Sequence, residues 1–318
     1  MRILVSLSRY SGLTGPEGVE TSRRDGDHGA TGARKVVALV RRGVRLAAQA
    51  RTADRLVLVT AGLELFVVAA LLPRGRVVAV DWLAPSGRRL DRHWPLSKVA
   101  AFGVVRRSDV AMLSRRFGVP ADRCRFVPFP VTAAPRDDVG DDGYVYSAGW
   151  AHRDWPTLLA ALELCGLDAL LSMPVKPAAL PPRVRAVTQL PPAEGRAWMA
   201  RSRCVVLAFV DTDLPSGPLV LLDAMAHGKA VVVSDVGGAR DYVTDGEDAL
   251  VVPPGDAEAL AAALRRLDDD PALRERLGAA ARARAAGCTE SRFWAEVLDL
   301  CASTSDAALA APAARAGR

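Results

Sequence analysis

The stretch from Val205 to Pro254 constrains this chain most, because in it two apolar runs alternate with two loops that each open a helix. Val205 to Val210 is apolar and ends in a polar, proline-containing loop, and Leu219 to His227 follows with apolar residues at helical spacing. A second apolar run, Ala230 to Val233, leads into a Gly-Gly turn before another short helix. The stretch therefore predicts a strand-helix-strand unit whose loops lie at the sheet edge where α/β folds bind ligands.

The predicted chemistry of this edge depends on backbone groups more than on side chains. Ser216-Gly217 begins the first helix and Gly237-Gly238 begins the second, and free N–H groups at such turns suit a phosphate. Asp223, inside the first helix, is placed to accept hydrogen bonds from a sugar or ribose diol. The structural alternative for Asp223 is an ordinary solvated acid on a helix.

These residues carry a resemblance. Gly217 to Pro254 resembles the nucleotide-sugar site of the retaining, family 4 (group 1) glycosyltransferases of GT-B fold, whose pattern is Glu, seven residues, Glu, then A-M-A-x-G-x-P-V-V and a Gly-Gly turn. Asp223-Ala-Met-Ala-His-Gly-Lys-Ala-Val-Val matches the latter part, with Asp for Glu and Ala230 for Pro. The first Glu, which helps to hold the donor sugar in the family, is replaced here by Pro215.

The first half of the chain shows βα repetition, which predicts a parallel sheet. Predicted strands are Arg2 to Leu7, Arg55 to Thr60, Arg76 to Val80 and Val110 to Leu113, and predicted helices are Arg34 to Ala50, Leu63 to Leu72 and Leu96 to Arg107. A long polar loop, Tyr10 to Gly32, contains GLTG, the nearest match to the family's Gly-rich turn. Four strands are fewer than the family's usual first domain has, so a reduced domain is expected.

Two residues are candidates for catalysis on the acceptor side. The family commonly has a His after a strand that corresponds to Val77 to Val80; here Asp81 stands at that place and His93 follows downstream. Either residue is equally well explained as a loop or cap residue.

The resemblance also indicates the diphosphate site. A strand from Tyr144 to Ala148 ends in Gly149, and the family's first phosphate cation is replaced by Trp150, which leaves Arg153 as the expected cation. An Arg-Asp surface pair with Asp154 is the alternative. The expected donor-binding set is Gly149, Arg153, Ser216, Gly217, Leu219, Asp223 and Gly238.

A proline-rich linker near Ala134 to Gly143 separates two domains. The expected architecture is α/β with two Rossmann-like, doubly wound parallel-sheet domains facing across a cleft, as in GT-B enzymes. Residues 1–138 form the acceptor-side domain, residues 139–302 the donor-binding domain, and residues 303–318 a disordered tail. The resemblance implies a retaining glycosyltransferase that moves a sugar from a nucleotide-diphosphate donor to an acceptor hydroxyl. A degenerate protein that binds a nucleotide sugar or a partner without turnover is the alternative.

Asp211-Thr-Asp213 imitates the DxD motif of metal-dependent GT-A transferases, which bind a divalent ion between carboxylates. The two-domain βα pattern argues against that fold, so we expect no metal and no cofactor. Asp213 is instead a candidate to take over the missing acid's contact with the donor sugar.

Charge is unevenly distributed along this chain of net charge +6, with 24 basic and 12 acidic residues up to Gly140. A basic first half suits an anionic or lipid-linked acceptor, or peripheral contact with an acidic membrane; an Arg-rich solvated surface is the alternative. Nucleic acid is not expected, because no zinc, helix-turn-helix or RNP pattern is present. Five cysteines without metal spacing, and no apolar run of membrane-spanning length, favour a cytoplasmic protein, at most associated with the inner face of the membrane.

Overall fold

The computed structural model describes residues 1–8, 12–24, 32–83, 94–132, 134–136, 139–188, 190–212 and 218–304, apart from the side chains of residues 24, 32–35 and 94. The chain divides into two compact units, one formed by Met1–Pro128 with Glu290–Arg318 and the other by Phe129–Thr289. The division thus falls before the predicted boundary at residue 138, and the last helix belongs to the first unit. Of the predicted tail, residues 305–318 lie outside the described part.

The first unit contains a parallel sheet in the order β2-β1-β3-β4-β5-β6. Its strands are β1 (Ile3–Ser8), β2 (Glu20–Arg24), β3 (Arg55–Val59), β4 (Val77–Val80), β5 (Ala101–Val104) and β6 (Cys124–Phe126). Its helices are α1 (Gly32–Gln49), α2 (Glu64–Leu71), α3 (Ser108–Phe117) and α9 (Glu290–Ser303). The sheet has six strands where the sequence predicted four.

Two predicted elements of this unit are wrong. The predicted helix from Leu96 to Arg107 is a 3-10 turn, Trp94–Lys98, followed by the buried strand β5. The predicted strand from Val110 to Leu113 lies inside α3, which ends at Gly118 with a φ of 66°. Short apolar runs do not distinguish a buried strand from one turn of a helix, so periodicity alone assigns them poorly.

Strand β2 lies within the segment that the sequence predicted as a loop. Its residues, ETSRR, are polar, and it pairs in parallel with β1 at the edge of the sheet. Edge strands are often polar, because charged side chains there prevent the sheet from pairing with other chains. A polar strand lacks the apolar pattern by which strands are recognised in a sequence.

Helix α1 leaves most of its valines exposed. Leu46 and Ala47 are buried, whereas Val36, Val37, Val40 and Val44 are exposed. The helix lies close to α2 at Gly43, where a Cβ atom would come within 2.6 Å of Val67 Cβ. Because the side of α1 that carries Gly43 packs against α2, the side that carries the valines lies at the surface.

The second unit contains a parallel sheet in the order β12-β11-β10-β7-β8-β9. Its strands are β7 (Val145–Ala148), β8 (Ala169–Ser172), β9 (Val184–Val187), β10 (Cys204–Leu207), β11 (Val231–Ser234) and β12 (Leu250–Val252). Its helices are α4 (Trp155–Cys165), α5 (Pro192–Arg201), α6 (Leu219–Ala226), α7 (Ala257–Asp269) and α8 (Pro271–Ala285). Of these strands, β7, β10 and β11 were predicted within a few residues.

Each unit has its own apolar core. In the first, Leu56, Leu58, Val68 and Phe102 are buried between the sheet and its helices. In the second, Leu158, Leu171, Val206, Val232 and Leu264 fill the corresponding layer. No helix in the described ranges combines the length and apolar composition needed to cross a bilayer.

Candidate functional site

The strand order of the second sheet locates a crevice between β7 and β10. The chain runs outward from β7 through β8 to β9, and then returns to place β10 on the other side of β7. At such a reversal the loops that leave two neighbouring strands turn in opposite directions, which opens a crevice at the carboxyl edge of the sheet. The loop after β7 and the loop after β10 flank this crevice.

Backbone hydrogen bonds join those two loops. Asp154 N donates to Ala208 O at 2.9 Å, and Val210 N donates to His152 O at 3.0 Å. Arg153 and Phe209 form an isolated antiparallel bridge between them. His152 has a φ of 54°, an uncommon conformation for a residue other than glycine, which marks a constrained turn. The crevice is therefore bordered by a fixed framework.

Arg153 lies at the centre of this framework. Its Nε donates to Ala148 O at 2.9 Å, and its guanidinium stacks 4.2 Å from the centroid of the Phe209 ring. Among the described residues no carboxylate pairs with it, so the predicted alternative, a surface pair with Asp154, is not formed; Asp154 instead caps α4 through Thr157 N. Burial lowers the pKa of Arg153 to about 9. A half-buried cation without an acid is suited to an anionic ligand.

Gly149 is required by the position of Arg153. It has a φ of 140°, and a Cβ atom there would lie 2.5 Å from Arg153 Nε. Trp150, which replaces the family's first cation, is exposed. The turn after β7 therefore supplies close backbone approach and one cation.

The loop after β11 adjoins the same edge, because β11 is the neighbour of β10. Ser234 Oγ accepts a hydrogen bond from Phe209 N at 3.0 Å, which ties this loop to the Arg153 framework. Gly238 has a φ of 100°, and no described residue accepts from the amides of Gly237 or Gly238. The helix predicted after them is a single 3-10 turn, Ala239–Asp241. The N–H groups of Gly237 and Gly238 thus have no acceptor among the described residues, which suits an anion site.

Asp223 lies on α6, just past its first turn. Its carboxylate is half-buried and receives no hydrogen bond from the described residues. Burial raises its pKa to about 6, which Arg196 on α5 partly offsets. An unpartnered acceptor at this depth is costly unless a ligand supplies donors, as the two hydroxyls of a diol do.

Some predicted residues of this site lie outside the described residues: Asp213, Pro215, Ser216 and Gly217. Leu219 is the first residue of α6, a helix without a side-chain cap at its start. Asp211, the other acid of the DxD triplet, is exposed.

In the first unit, Asp81 lies at the carboxyl end of β4, and His93 lies outside the described residues. Thr60 Oγ1 donates to Asp81 Oδ2 at 3.1 Å. Burial raises the pKa of Asp81, and the nearby Arg106 and the hydrogen bond from Thr60 oppose that rise. Thr60 and Asp81 have φ values of 51° and 49°, a strained pair at neighbouring strand ends, and such strain is concentrated at functional sites.

Arg106 completes a buried polar cluster that sequence reasoning missed. Its guanidinium contacts both carboxylate oxygens of Asp109, with Nε 3.1 Å from each. Both side chains are almost fully buried, and their charges also act on Asp81. The sequence does contain an R-x-x-D pattern after a strand, from Arg106 to Asp109. The same pattern is common at the starts of helices, so it does not identify a buried cluster.

The GLTG turn, Gly12 to Gly15, is bound by a carboxylate of the first unit's last helix. Glu290 Oε1 accepts from Thr14 N at 2.7 Å, from Thr14 Oγ1 at 2.9 Å and from Gly15 N at 3.1 Å. Trp294 Nε1 donates to the same oxygen at 3.0 Å. The amides of Thr14 and Gly15 are therefore already hydrogen-bonded to a carboxylate of the same unit.

Part of the chain is similar in sequence to known proteins. Residues 148–270 match the family model described as glycosyl transferases group 1. The chain is 36% identical over 113 residues to the D-inositol 3-phosphate glycosyltransferase of Pseudarthrobacter chlorophenolicus, covering 36% of this chain and 27% of that one. It is 48% identical over 60 residues to the lipopolysaccharide core biosynthesis glycosyltransferase LpsD of Rhizobium meliloti, covering 19% and 18%. The matched part thus spans less than a third of either relative.

The fold is shared over a longer range. Anabaena HepE, solved in complex with UDP-glucose, superposes with a TM-score of 0.72 at 16% identity, over 94% of this chain and 100% of HepE. At that identity the similarity establishes the fold. The predicted GT-B fold class and the resemblance to group 1 glycosyltransferases are confirmed.

Proposed function

We propose that this chain, whose second unit is of the group 1 glycosyltransferase type, transfers a sugar from a nucleotide-diphosphate donor to an acceptor hydroxyl. One observation carries the proposal: Arg153, a half-buried cation without an acidic partner among the described residues, lies at the crevice where the second sheet reverses its strand order. HepE was solved with UDP-glucose, which supports a donor of the same class.

The donor half of the proposed site assigns one role to each group. Arg153 and the amides of Gly237 and Gly238 hold the diphosphate, with Gly149 allowing its close approach. Asp223 accepts hydrogen bonds from the hydroxyl groups of the ribose or the sugar. Charge grows on the diphosphate as its bond to the sugar breaks, so preorganised donors there stabilise the transition state and contribute about 10²- to 10³-fold each.

On the acceptor side we propose Asp81 as the residue that orients the acceptor hydroxyl, with His93 as a second candidate. Asp81 is buried beside Thr60 and Arg106 and has a raised pKa, which suits a group that exchanges a proton or a hydrogen bond with a hydroxyl. The excess of basic residues up to Gly140 favours an anionic or lipid-linked acceptor.

Retention of anomeric configuration, independence of metal and a cytoplasmic location belong to the proposal as well. Retention is what the resemblance to family 4 implies. None of the five cysteines forms a disulfide, and unpaired thiols are usual in a reducing compartment. Asp213 is proposed to replace the family's first acid at the sugar.

A donor panel tests the function. The chain is incubated with UDP-, GDP-, dTDP- and ADP-glucose, with and without EDTA, while melting temperature and nucleotide release are measured. We expect one base to raise the melting temperature and to be released slowly by hydrolysis, unchanged by EDTA. Proton NMR of a transferred product should show the donor's anomeric configuration. Failure of every nucleotide to bind would contradict the proposal.

A second candidate is a degenerate protein that binds a nucleotide sugar without turnover. The exposed Trp150 in place of the first cation and Pro215 in place of the first acid favour it. The same panel separates the two functions, since binding without release, in the presence of varied acceptors, is expected only for the degenerate protein.

A further inference from the structure

The outer side of α1 exposes a row of valines that the fold leaves uncovered. Val36, Val37, Val40 and Val44 recur at helical spacing, and together with Leu71 at the end of α2 they are 44–59% exposed. The side of α1 that carries Gly43 and Leu46 is buried, with Gly43 packed against Val67 of α2. We refer to these five apolar residues as the valine stripe. An exposed row of this kind on a helix usually marks a contact surface.

The valine stripe continues into a surface pocket between the ends of α1 and α2. The pocket has a volume of about 350 Å³. Its lining is mostly apolar and consists of Val44, Ala47, Ala48, Leu71, Leu72 and Pro73, with Arg51 and Arg76 at its margin. A pocket with this lining and rim suits an apolar chain that ends in an anionic group.

Positive charge surrounds the valine stripe. Arg41 and Arg45 alternate with the valines on the exposed side of α1, and no described acid pairs with Arg41, Arg45 or Arg51. The sequence of α1 contains five basic residues and no acidic one. A helix with apolar and basic residues on the same outward side matches the interfacial zone of an anionic bilayer, where the apolar groups enter the acyl boundary and arginines contact headgroups.

We propose that the valine stripe and its arginines bind the surface of an anionic lipid bilayer, with the adjoining pocket accepting part of an acyl chain. This inference stands apart from sugar transfer, because it concerns the outer face of α1 and needs neither donor nor turnover. Charge complementarity selects a bilayer over a second copy of the chain, since two such basic faces would repel each other.

Co-sedimentation with vesicles tests the proposal. The full chain is mixed with vesicles of phosphatidylcholine alone, or of phosphatidylcholine with phosphatidylglycerol, at increasing salt. We expect binding to the anionic vesicles that weakens steeply as salt rises, and at least about tenfold weaker binding to neutral ones. Equal binding to both vesicle compositions would contradict the proposal that the arginines recognise anionic lipid.

Variants assign the surface. Val37→Ser with Val40→Ser should lower the partition coefficient at least about tenfold, and Arg41→Gln with Arg45→Gln should also flatten its salt dependence. Val175→Ser and Arg183→Gln change an exposed valine and an exposed arginine of the second unit and should bind as the parent does. Melting temperatures verify that all variants fold. If the α1 variants bind like the parent, or if they only dissolve a dimer seen by light scattering, the proposal is wrong.

Discussion

At the scale of single residues, the candidate site is defined by polar groups that the fold leaves without partners. A buried guanidinium or carboxylate loses its hydration, and it is tolerated when an opposite charge or a hydrogen-bond partner compensates. Arg153 has a carbonyl and an aromatic ring but no acid among the described residues, and Asp223 has no described donor. A ligand with a diphosphate and a diol would compensate both.

Replacing Arg153 should separate binding from stability. Arg153→Met is expected to weaken nucleotide-sugar binding by about 10- to 100-fold, because one charge-assisted contact is worth about 1.5–3 kcal/mol. Its free energy of unfolding should stay unchanged or rise, since a desolvated charge is removed. Calorimetric titration and urea unfolding measure the two effects, with Arg183→Met, which loses only an exposed pair with Asp168, as the control. If Arg153→Met lowers the free energy of unfolding and leaves nucleotide-sugar affinity unchanged, Arg153 stabilises the fold and does not bind the donor.

Asp223 should make both stability and donor binding depend on pH. Its pKa is 3.8 in the unfolded reference and about 6 in the fold, so between these values the unfolded chain releases a proton that the folded chain keeps. Stability is therefore expected to fall by about 2–3 kcal/mol as pH rises from about 4 to about 6. Donor affinity should rise over the same range, because a diol donates to the ionised carboxylate.

Asp223→Asn is the matched control for this prediction. It should remove both trends, and donor affinity should be low and independent of pH. If the variant keeps the parent's pH profile, another group is responsible and the role of Asp223 is wrong.

At the scale of elements, glycines set the distance between packed helices and loops. Gly278 of α8 lies against Gly228, which follows the C-cap residue of α6, and a Cβ atom at position 278 would overlap the carbonyl oxygen of Gly228. Lys229 fixes the next residue of that turn by donating to Gly140 O and Ser202 O, each at 2.7 Å. The turn that follows the donor-binding helix is thus held from two sides.

Gly278→Ala should destabilise the second unit. Alanine gains about 1 kcal/mol of helix propensity over glycine, but overlap with a fixed carbonyl costs more, and we expect a net loss of about 2 kcal/mol. Thermal unfolding measures it. Ala279→Ser, at the exposed neighbouring position, adds one atom without overlap and should change stability by less than about 0.5 kcal/mol. A stable Gly278→Ala protein would show that α8 moves away freely.

At the scale of the whole molecule, the first unit is built from both ends of the chain. Arg125 donates to Asp299 Oδ2 at 2.7 Å and to Glu296 O at 2.6 Å, and Glu290 holds the turn at Thr14. Phe293 and Trp294 are buried with ring centroids 5.0 Å apart. Helix α9 is therefore a part of the first unit's core, although it follows the entire second unit in sequence.

Truncation before α9 should harm the first unit selectively. A chain that ends at Thr289 loses the aromatic pair and the carboxylate at the GLTG turn, so amides of β1, β3 and β4 should exchange at least about tenfold faster with deuterium. Amides of β7, β10 and β11 should keep their protection, because those strands lie in the other unit. Truncation after Thr304 is the control. Uniform loss of protection in both units would contradict their independence.

The second unit was more predictable than the first because its signals are local. Its strands are apolar runs bounded by Gly, Pro or a cap, and β7 and β11 begin within one residue of their predicted positions. In the first unit, β2 is polar and lies at an edge, and the assignments around β5 and α3 were wrong because runs of four apolar residues fit either structure. Whether such a segment becomes a strand or a helix depends on whether it can pair with neighbouring strands.

The sequence alone determined the strand-helix-strand unit of β10, α6 and β11, its glycine turns and the family motif from Asp223 to Val232, because these follow from local propensity and residue order. Tertiary structure decided that Arg153 stacks on Phe209 without an acid, that Asp81 joins Thr60 and Arg106, and that α1 turns its valines outward. These outcomes depend on which residues of distant strands and helices become neighbours, since burial and partnership are properties of the packed chain and not of any segment in it.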